Sequence, residues 1–144
     1  MSTLKMSFKN WMLLLLGVIA VGMTSCSKET VDNIGRDAAL NIIRTGNWER
    51  WTKTVSGNSV AELNVTREMM EQGETLNFDK DGAWHKKKDK SAVAYDYSMP
   101  DSKTMIFDGV EYKIQENIVS TVSKLTLVNQ QGAIKTTMVI KRSW

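Results

Sequence analysis

Residues 104–114 read TMIFDGVEYKI and predict a β-hairpin. The first four residues form one strand, and in the second strand Val110, Tyr112 and Ile114 alternate with charged neighbours. The Asp-Gly pair between the strands is a common two-residue turn, because both residues tolerate the positive φ that such a turn needs. Alternation with a period of two buries one face of each strand and leaves the other in water, which is typical of an antiparallel sheet.

The same pattern recurs along most of the chain. Besides the hairpin, strands are predicted at residues 48–55, 75–78, 83–87, 93–97, 123–128 and 134–141. Turns rich in Gly, Asn, Asp and Ser separate them, including a proline turn at 99–102 and a turn at 129–132. Residues 60–72 are ambiguous, because they fit either a continued strand with a turn or a short helix over a barrel mouth.

Evenly spaced sequential strands predict a mainly β fold arranged as an up-and-down meander. Closing such a meander removes its exposed edges. We therefore expect a single up-and-down antiparallel β-barrel of about eight strands with one short N-terminal helix. Asp37 is the expected helix cap, Gly46 follows the helix end, and the apolar face holds Ala39, Leu40, Ile42 and Ile43.

The first 26 residues are organised like a lipoprotein export signal. Lys5 and Lys9 precede an apolar run at 11–22, and small and polar residues then lead to Cys26, the only cysteine of the chain. This order is typical of a secretory signal peptide, and the run is shorter than the roughly 20 residues that span a membrane. We predict a cleaved signal peptide at 1–25, a lipidated tether at 26–36 and the barrel domain at 37–144.

Removal of the signal peptide changes the charge of the protein. The full chain has a formal net charge of +3, but loss of Lys5 and Lys9 leaves 17 basic against 16 acidic side chains. A near-neutral exported protein is a poor candidate for binding nucleic acid. The expected partners are a membrane, reached through diacylglycerol and an N-acyl chain on Cys26, and another envelope protein.

Several short motifs resemble one family. Gly46-Asn47-Trp48 looks like the Gly-x-Trp opening of lipocalins, in which the Trp packs across the barrel floor. Residues 76–82 (LNFDKDG) and 104–109 (TMIFDG), together with the lipobox-like cysteine, resemble the small lipocalin-like lipoproteins of Bacteroidota. The resemblance covers roughly residues 43–142 and implies a barrel, but it does not imply a ligand. Ser27 after the cysteine resembles outer-membrane sorting, and the weakly acidic start of the tether favours the periplasmic face over surface exposure.

Two groups of side chains are candidate site residues. Six aromatic residues are predicted to line the barrel, where they either fill the core or surround an apolar ligand: Trp48, Phe78, Tyr95, Tyr97, Phe107 and Tyr112. Four others are predicted at a protein interface: Arg50, Trp51, Met69 and Met70. Trp51 is expected to be exposed if Trp48 faces inward, and an exposed Trp beside Arg50 suits an interface.

We do not predict an enzyme. His85, the only histidine, lies in the basic segment WHKKK and is expected to be a solvent-facing strand residue. A zinc site needs three or four nitrogen or sulfur ligands as a rule, which one histidine and a lipidated cysteine cannot supply. We therefore predict no catalytic residue, no metal site and no cofactor beyond the acyl chains.

Two functions remain open from the sequence. The first is a non-catalytic interaction domain that a lipid anchor holds at the membrane, such as an accessory subunit of an envelope assembly of the type VI secretion kind. The alternative is a lipocalin-like carrier of a small hydrophobic ligand. The volume of the interior discriminates between them, because a dry cavity approaching ~300 Å³ favours the carrier.

Overall fold

The computed structural model describes residues 35–144. Residues 35–44 are helical (α1), a 3₁₀ turn covers Ala61–Leu63, and ten strands follow α1. The strands are β1 Arg50–Ser56, β2 Thr66–Glu68, β3 Thr75–Asp79, β4 Gly82–Lys86, β5 Ala92–Tyr95, β6 Tyr97–Asp101, β7 Thr104–Phe107, β8 Val110–Ile114, β9 Lys124–Gln131 and β10 Ile134–Lys141. The mainly β fold with one short helix is thus confirmed. Cys26 and the predicted export signal lie outside the described residues.

The strands form two antiparallel sheets. The larger has the order β2-β1-β10-β9-β8-β7-β6, and the smaller has the order β3-β4-β5. Trp48 and Leu76 exchange two backbone hydrogen bonds of 2.9 and 2.8 Å, which link the start of β1 to β3. On the other side the chain passes from β5 to β6 through Asp96 alone. The two sheets are therefore connected at both of these points.

The hairpin predicted from residues 104–114 is confirmed. Phe107 pairs with Val110, so Asp108 and Gly109 are the only residues of the turn. Their φ angles are 50° and 79°, which is the left-handed conformation that both central residues of a type I′ turn require.

Two of the predicted turns are wrong. Met99 and Pro100 belong to β6, the edge strand of the larger sheet, with a shift of register between Ser98 and Asp101. Pro is tolerated there because an edge strand has ladder positions that need no N–H donor. Residues 129–131, predicted as a turn, instead extend β9 and pair with β10.

The N-terminal part of the domain also differs in detail from the prediction. Asp37 lies inside α1, so the prediction that it caps the helix is wrong. Residues 60–72 contain both a 3₁₀ turn and the short strand β2, which pairs with β1. The extra strand β2 and the division of the predicted strand 93–97 account for ten strands where eight are predicted.

One hydrophobic core joins the helix and both sheets. Ala39 and Ile43 of α1 are fully buried, and alternate residues of β9 and β10 point inward. The fully buried strand side chains include Leu76, Met105, Leu125, Leu127 and Ile140. Because α1 is too short to be stable alone, this packing holds it in place.

Candidate functional site

Trp51 lies at the centre of an aromatic cluster. Its ring centroid is 5.4 Å from that of Tyr95 and 5.6 Å from that of Phe107, both in edge-to-face geometry. The His85 ring lies 6.3 Å away, and the indole Nε1 is 3.4 Å from the sulfur of Met138. Only 2% of Trp51 is exposed. The prediction that Trp51 is exposed at an interface is therefore wrong.

The chain path before β1 explains why Trp51 is buried. Trp48 pairs with Leu76 of β3, whereas Glu49 already donates its backbone N–H to the carbonyl of Lys141 in β10. The chain changes partners between these residues, so the strict alternation of a continuous strand does not apply. Trp48 and Trp51 both face the core, although they are three positions apart in the sequence.

The six aromatic residues predicted to line the barrel share this core. Trp48, Phe78, Phe107 and Tyr112 are buried, and Tyr95 and Tyr97 are half-buried against them. The hydroxyl of Tyr97 donates to the carbonyl of Asp79 at 2.5 Å and accepts a bond from Arg44 at 2.8 Å. These contacts pack the rings against one another in the interior.

The remaining predicted interface residues do not form one surface. Met70 is buried with 2% exposure, so its predicted place at an interface is wrong, whereas Met69 is half-buried. Arg50 bonds Glu68 at 2.8 Å, and its guanidinium carbon lies 4.9 Å from the ring centroid of Trp144. Trp144 is 47% exposed, so the exposed Trp beside Arg50 is the last residue of the chain.

A cleft lies between β1, β2 and the 3₁₀ turn. It has a volume of about 210 Å³ and is lined by Lys53, Val55, Leu63, Val65, Arg67 and Met69. We refer to it as the β1–β2 cleft. An adjoining hollow of about 90 Å³ shares Lys53 and Met69, and Trp51, Tyr95 and Phe107 are part of its wall. The cleft therefore lies beside the aromatic core.

The polar groups of the β1–β2 cleft are two cations. Lys53 and Arg67 lie directly opposite each other in the β1–β2 ladder. Within residues 35–144 neither side chain belongs to an ion pair. Asp108 lines the adjoining hollow together with Lys53. The arrangement of two positive charges on an apolar wall can hold an anion that carries an apolar group.

A buried carboxylate and imidazole pair lies next to Trp51. His85 Nε2 is 2.9 Å from Oε1 of Glu74, and the two residues are 5% and 8% exposed. The prediction of a solvent-facing His85 is wrong, because His85 pairs with Leu76 on the inward face of β4. The Glu74 carboxylate also accepts the backbone N–H groups of Glu71 and Lys88. The hydrogen bond from Glu71, followed by that from His85, lowers the pKa of Glu74 below its ordinary value.

Arg142 connects the end of α1 to β10. It donates to the carbonyls of Ile42 at 2.7 Å and Val122 at 2.8 Å, and also to the carbonyl of Thr45. Burial lowers the pKa of Arg142 from its ordinary value. The Nε1 of Trp48 donates to the carbonyl of Ile43 at 2.9 Å. The bonds to Ile42 and Ile43 satisfy carbonyls that α1 leaves free at its C-terminus.

Residues 35–144 contain no group of three or more His, Cys, Asp or Glu side chains that could hold a metal ion. None of the helices described there is long and apolar enough to cross a membrane.

Comparison with known proteins yields no family assignment. No protein-family model, no curated protein and no solved structure matches this chain.

Sequence reasoning missed four residues that organise these sites: Lys53, Arg67, Glu74 and Arg142. Arg67 lies in residues 60–72, for which the sequence leaves a strand with a turn or a short helix open, and only its place in β2 brings it opposite Lys53. Glu74 precedes β3 by one residue. The register of Leu76 with His85 in the predicted hairpin could have indicated that Glu74 and His85 lie close together. The sequence carries no comparable signal for Arg142, because its partners at the end of α1, Ile42 and Thr45, lie about 100 residues earlier.

Proposed function

We propose that the protein is an envelope lipoprotein whose domain is a non-catalytic interaction module. Cys26 carries the lipid anchor, and the anchor holds the domain at the periplasmic face of the outer membrane. The basic head, apolar run and small residues before Cys26 support this proposal. The resemblance of the motifs around Trp48 to those of small lipocalin-like lipoproteins of Bacteroidota supports it as well.

We propose further that the two sheets close into one eight-stranded up-and-down barrel. In this description β5 and β6 are one strand bent at Asp96, and β2 is an addition at the rim. The backbone bonds between Trp48 and Leu76 on one side, and the direct passage from β5 to β6 on the other, support closure. Closure leaves few unpaired edges, which protects an exported domain from edge-to-edge association.

The single observation that carries the interaction proposal is the filled aromatic core. Trp51, Phe78 and Phe107 occupy the interior with at most 3% exposure each, and the hollow beside Trp51 has a volume of about 90 Å³. Ligand pockets for drug-sized molecules measure roughly 300 Å³ or more. A core packed in this way favours binding at the outer surface over a large ligand carried in the interior.

The proposed partner is another envelope protein. Accessory subunits of trans-envelope assemblies, such as type VI secretion systems, are an example of the class. A domain of this kind acts by position: the anchor places it at the membrane, and the rigid sheets present a surface to the partner.

Crosslinking in intact envelopes, followed by purification of the protein, tests the proposal. We expect the wild-type chain to recover one stoichiometric protein partner from the membrane fraction. Cys26→Ala is expected to leave the domain folded and to lose both membrane attachment and that partner. A Cys26→Ala protein that stays membrane-bound after high-salt washing contradicts the anchor. Recovery of a lipid or pigment without any protein contradicts the interaction module and favours the carrier.

A further inference from the structure

We propose that the β1–β2 cleft binds a small amphiphile with one carboxylate head group and a single apolar tail. The head group lies between Lys53 and Arg67, and the tail lies along the apolar side chains of the cleft. This inference goes beyond the interaction module, because it concerns a ligand that the domain holds whether or not it docks a protein.

The two cations of the cleft, Lys53 and Arg67, favour an anion between them. Like charges directly opposite each other in a sheet repel, so the pairing of Lys53 with Arg67 is by itself unfavourable. The nearest acidic neighbour in β2, Glu68, is engaged with Arg50 at 2.8 Å. Within residues 35–144 no acidic side chain pairs with either cation. An anion placed between the two cations replaces a repulsion by two attractions.

The apolar wall of the cleft favours a ligand with an apolar tail. Val55, Val65 and Met69 are half-buried in the cleft, and Leu63 of the 3₁₀ turn is 54% exposed beside them. A tail in the cleft removes this apolar surface from water, which favours binding. The volume of about 210 Å³ is smaller than the roughly 300 Å³ of a typical drug-sized pocket, which favours one slim tail over a ring system.

The choice of head group follows from the charges around the cleft. The planar guanidinium of Arg67 matches a carboxylate, with which arginine commonly forms two parallel hydrogen bonds. Asp108 lines the adjoining hollow with Lys53, so its negative charge disfavours a dianion such as a phosphate monoester. A monoanionic carboxylate satisfies both conditions.

Isothermal titration calorimetry on the full chain with Cys26→Ser tests the proposal, with decanoate as the probe below its aggregation concentration. Decanol and decyltrimethylammonium carry the same tail on a neutral or a cationic head group. They therefore report binding that depends on the tail alone, including binding of the tail to the apolar residues 11–22 of the full chain. We expect decanoate to bind at least about tenfold more tightly than decanol, since a charge-assisted contact is worth tenfold or more.

The double variant Lys53→Met/Arg67→Met isolates the head-group contact. It keeps apolar side chains in the cleft, and we expect it to weaken decanoate about tenfold or more and to leave decanol unchanged. Lys124→Met/Lys135→Met removes the same net charge from exposed positions in β9 and β10 and is expected to bind decanoate like the parent chain. Since the double variant also removes a repulsion, its urea midpoint is expected not to fall. If the midpoint does fall, the single variant Lys53→Gln replaces the double variant. We expect Lys53→Gln to bind decanoate several-fold more weakly than the parent chain.

Three results overturn the inference. Equal affinities for decanoate and decanol would contradict a role of the cations in binding. Equal affinities for acetate and decanoate would contradict a role of the apolar wall. A protein partner that is lost on substitution of Lys53 and Arg67, with no decanoate binding by the parent chain, assigns the cleft to that protein instead. Failure of the crosslinking experiment leaves the titration unaffected, so the two proposals are tested separately.

Discussion

The guanidinium carbon of Arg142 lies 4.0 Å from the centroid of the Trp48 ring. The two residues are 94 positions apart in sequence, and both also bond carbonyls at the end of α1. A cation at this position suits the negative end of the helix dipole as well as the face of the indole ring. Trp48 precedes β1 and Arg142 follows β10, so the pair connects α1 to the first and the last strand of the domain.

We predict that Arg142→Ala destabilises the domain by about 3 kcal/mol, because several carbonyls lose a charged donor and Trp48 loses its cation. Arg142→Lys is expected to cost less, since it keeps the charge but cannot reach several acceptors at once. Urea unfolding followed by tryptophan fluorescence measures both. Arg36→Ala is the control, because Arg36 bonds only its exposed neighbour Asp37 among the described residues. Equal midpoints for the Arg142→Ala and Arg36→Ala proteins would contradict the role of Arg142.

A second prediction separates the buried Trp51 from the exposed Trp144. Trp51 is 2% exposed and contacts Tyr95 and Phe107, so Trp51→Ala is expected to cost about 3–5 kcal/mol through the cavity that it leaves. Trp144 is 47% exposed and stacks on Arg50. Trp144→Ala is therefore expected to change the free energy of unfolding by less than about 1 kcal/mol. Similar costs for the two substitutions would show that Trp51 is not a core residue.

Trp51 is buried, although alternation from Trp48 predicts that it is exposed. This error shows which part of the fold can be predicted from the sequence. Alternation in residues 104–114 and 134–141 predicts those strands well, because each continues along one sheet with one face inward. Between Trp48 and Arg50 the chain changes from one partner strand to another, and alternation carries no information about such a change. Pro100 is a similar case, because its place on an edge strand depends on which strands lie beside it.

The candidate site was less predictable than the fold, for a related reason. Lys53 and Arg67 form a pair only through the β1–β2 register, and β2 is a three-residue strand with all its side chains exposed. A strand that buries nothing has no hydrophobic pattern from which it can be predicted. Glu74 is likewise outside any strand, and its burial results from its bond with His85.

A third prediction concerns pH and the buried Glu74. Its pKa in the folded protein is below the ordinary value of 4.5, so its ionised form stabilises the fold. This contribution is fully present above about pH 4.5 and is lost as the pH falls through the lowered pKa of Glu74. Glu74→Gln is expected to cost about 1–3 kcal/mol at pH 7, and the difference from the wild type is expected to narrow toward pH 3.

The control for this titration is Glu71→Gln. The Glu71 side chain is 73% exposed and contacts Lys88 at 3.2 Å, so its loss is expected to change stability by less than about 0.5 kcal/mol at either pH. Urea midpoints at pH 7 and pH 3 give both comparisons. A gap between the wild type and Glu74→Gln that stays constant over this range is incompatible with a lowered pKa of Glu74.

The last prediction compares two glycines near the hairpin of β9 and β10. Gly57 and Gly132 have φ angles of 77° and 60°, where L side chains are strained. A Cβ at Gly57 would overlap the carbonyl oxygen of Ala133, whereas a Cβ at Gly132 meets no atom within 4 Å. Gly132→Ala isolates the cost of the backbone conformation, which is about 1–2 kcal/mol.

Gly57→Ala adds a collision with backbone to the same conformational cost. The Ala133 carbonyl can move only if β10 shifts at its first residues or the turn after β1 opens, so the cost is expected to exceed that of Gly132→Ala by at least about 1 kcal/mol. Urea midpoints of the two variants measured under one condition give this difference directly. Because both substitutions replace glycine by alanine at positive φ, effects on the unfolded chain cancel between them. Equal midpoints would mean that the turn after β1 yields without strain, and the close approach of Gly57 to Ala133 would then not constrain the rim of the sheet beside the β1–β2 cleft.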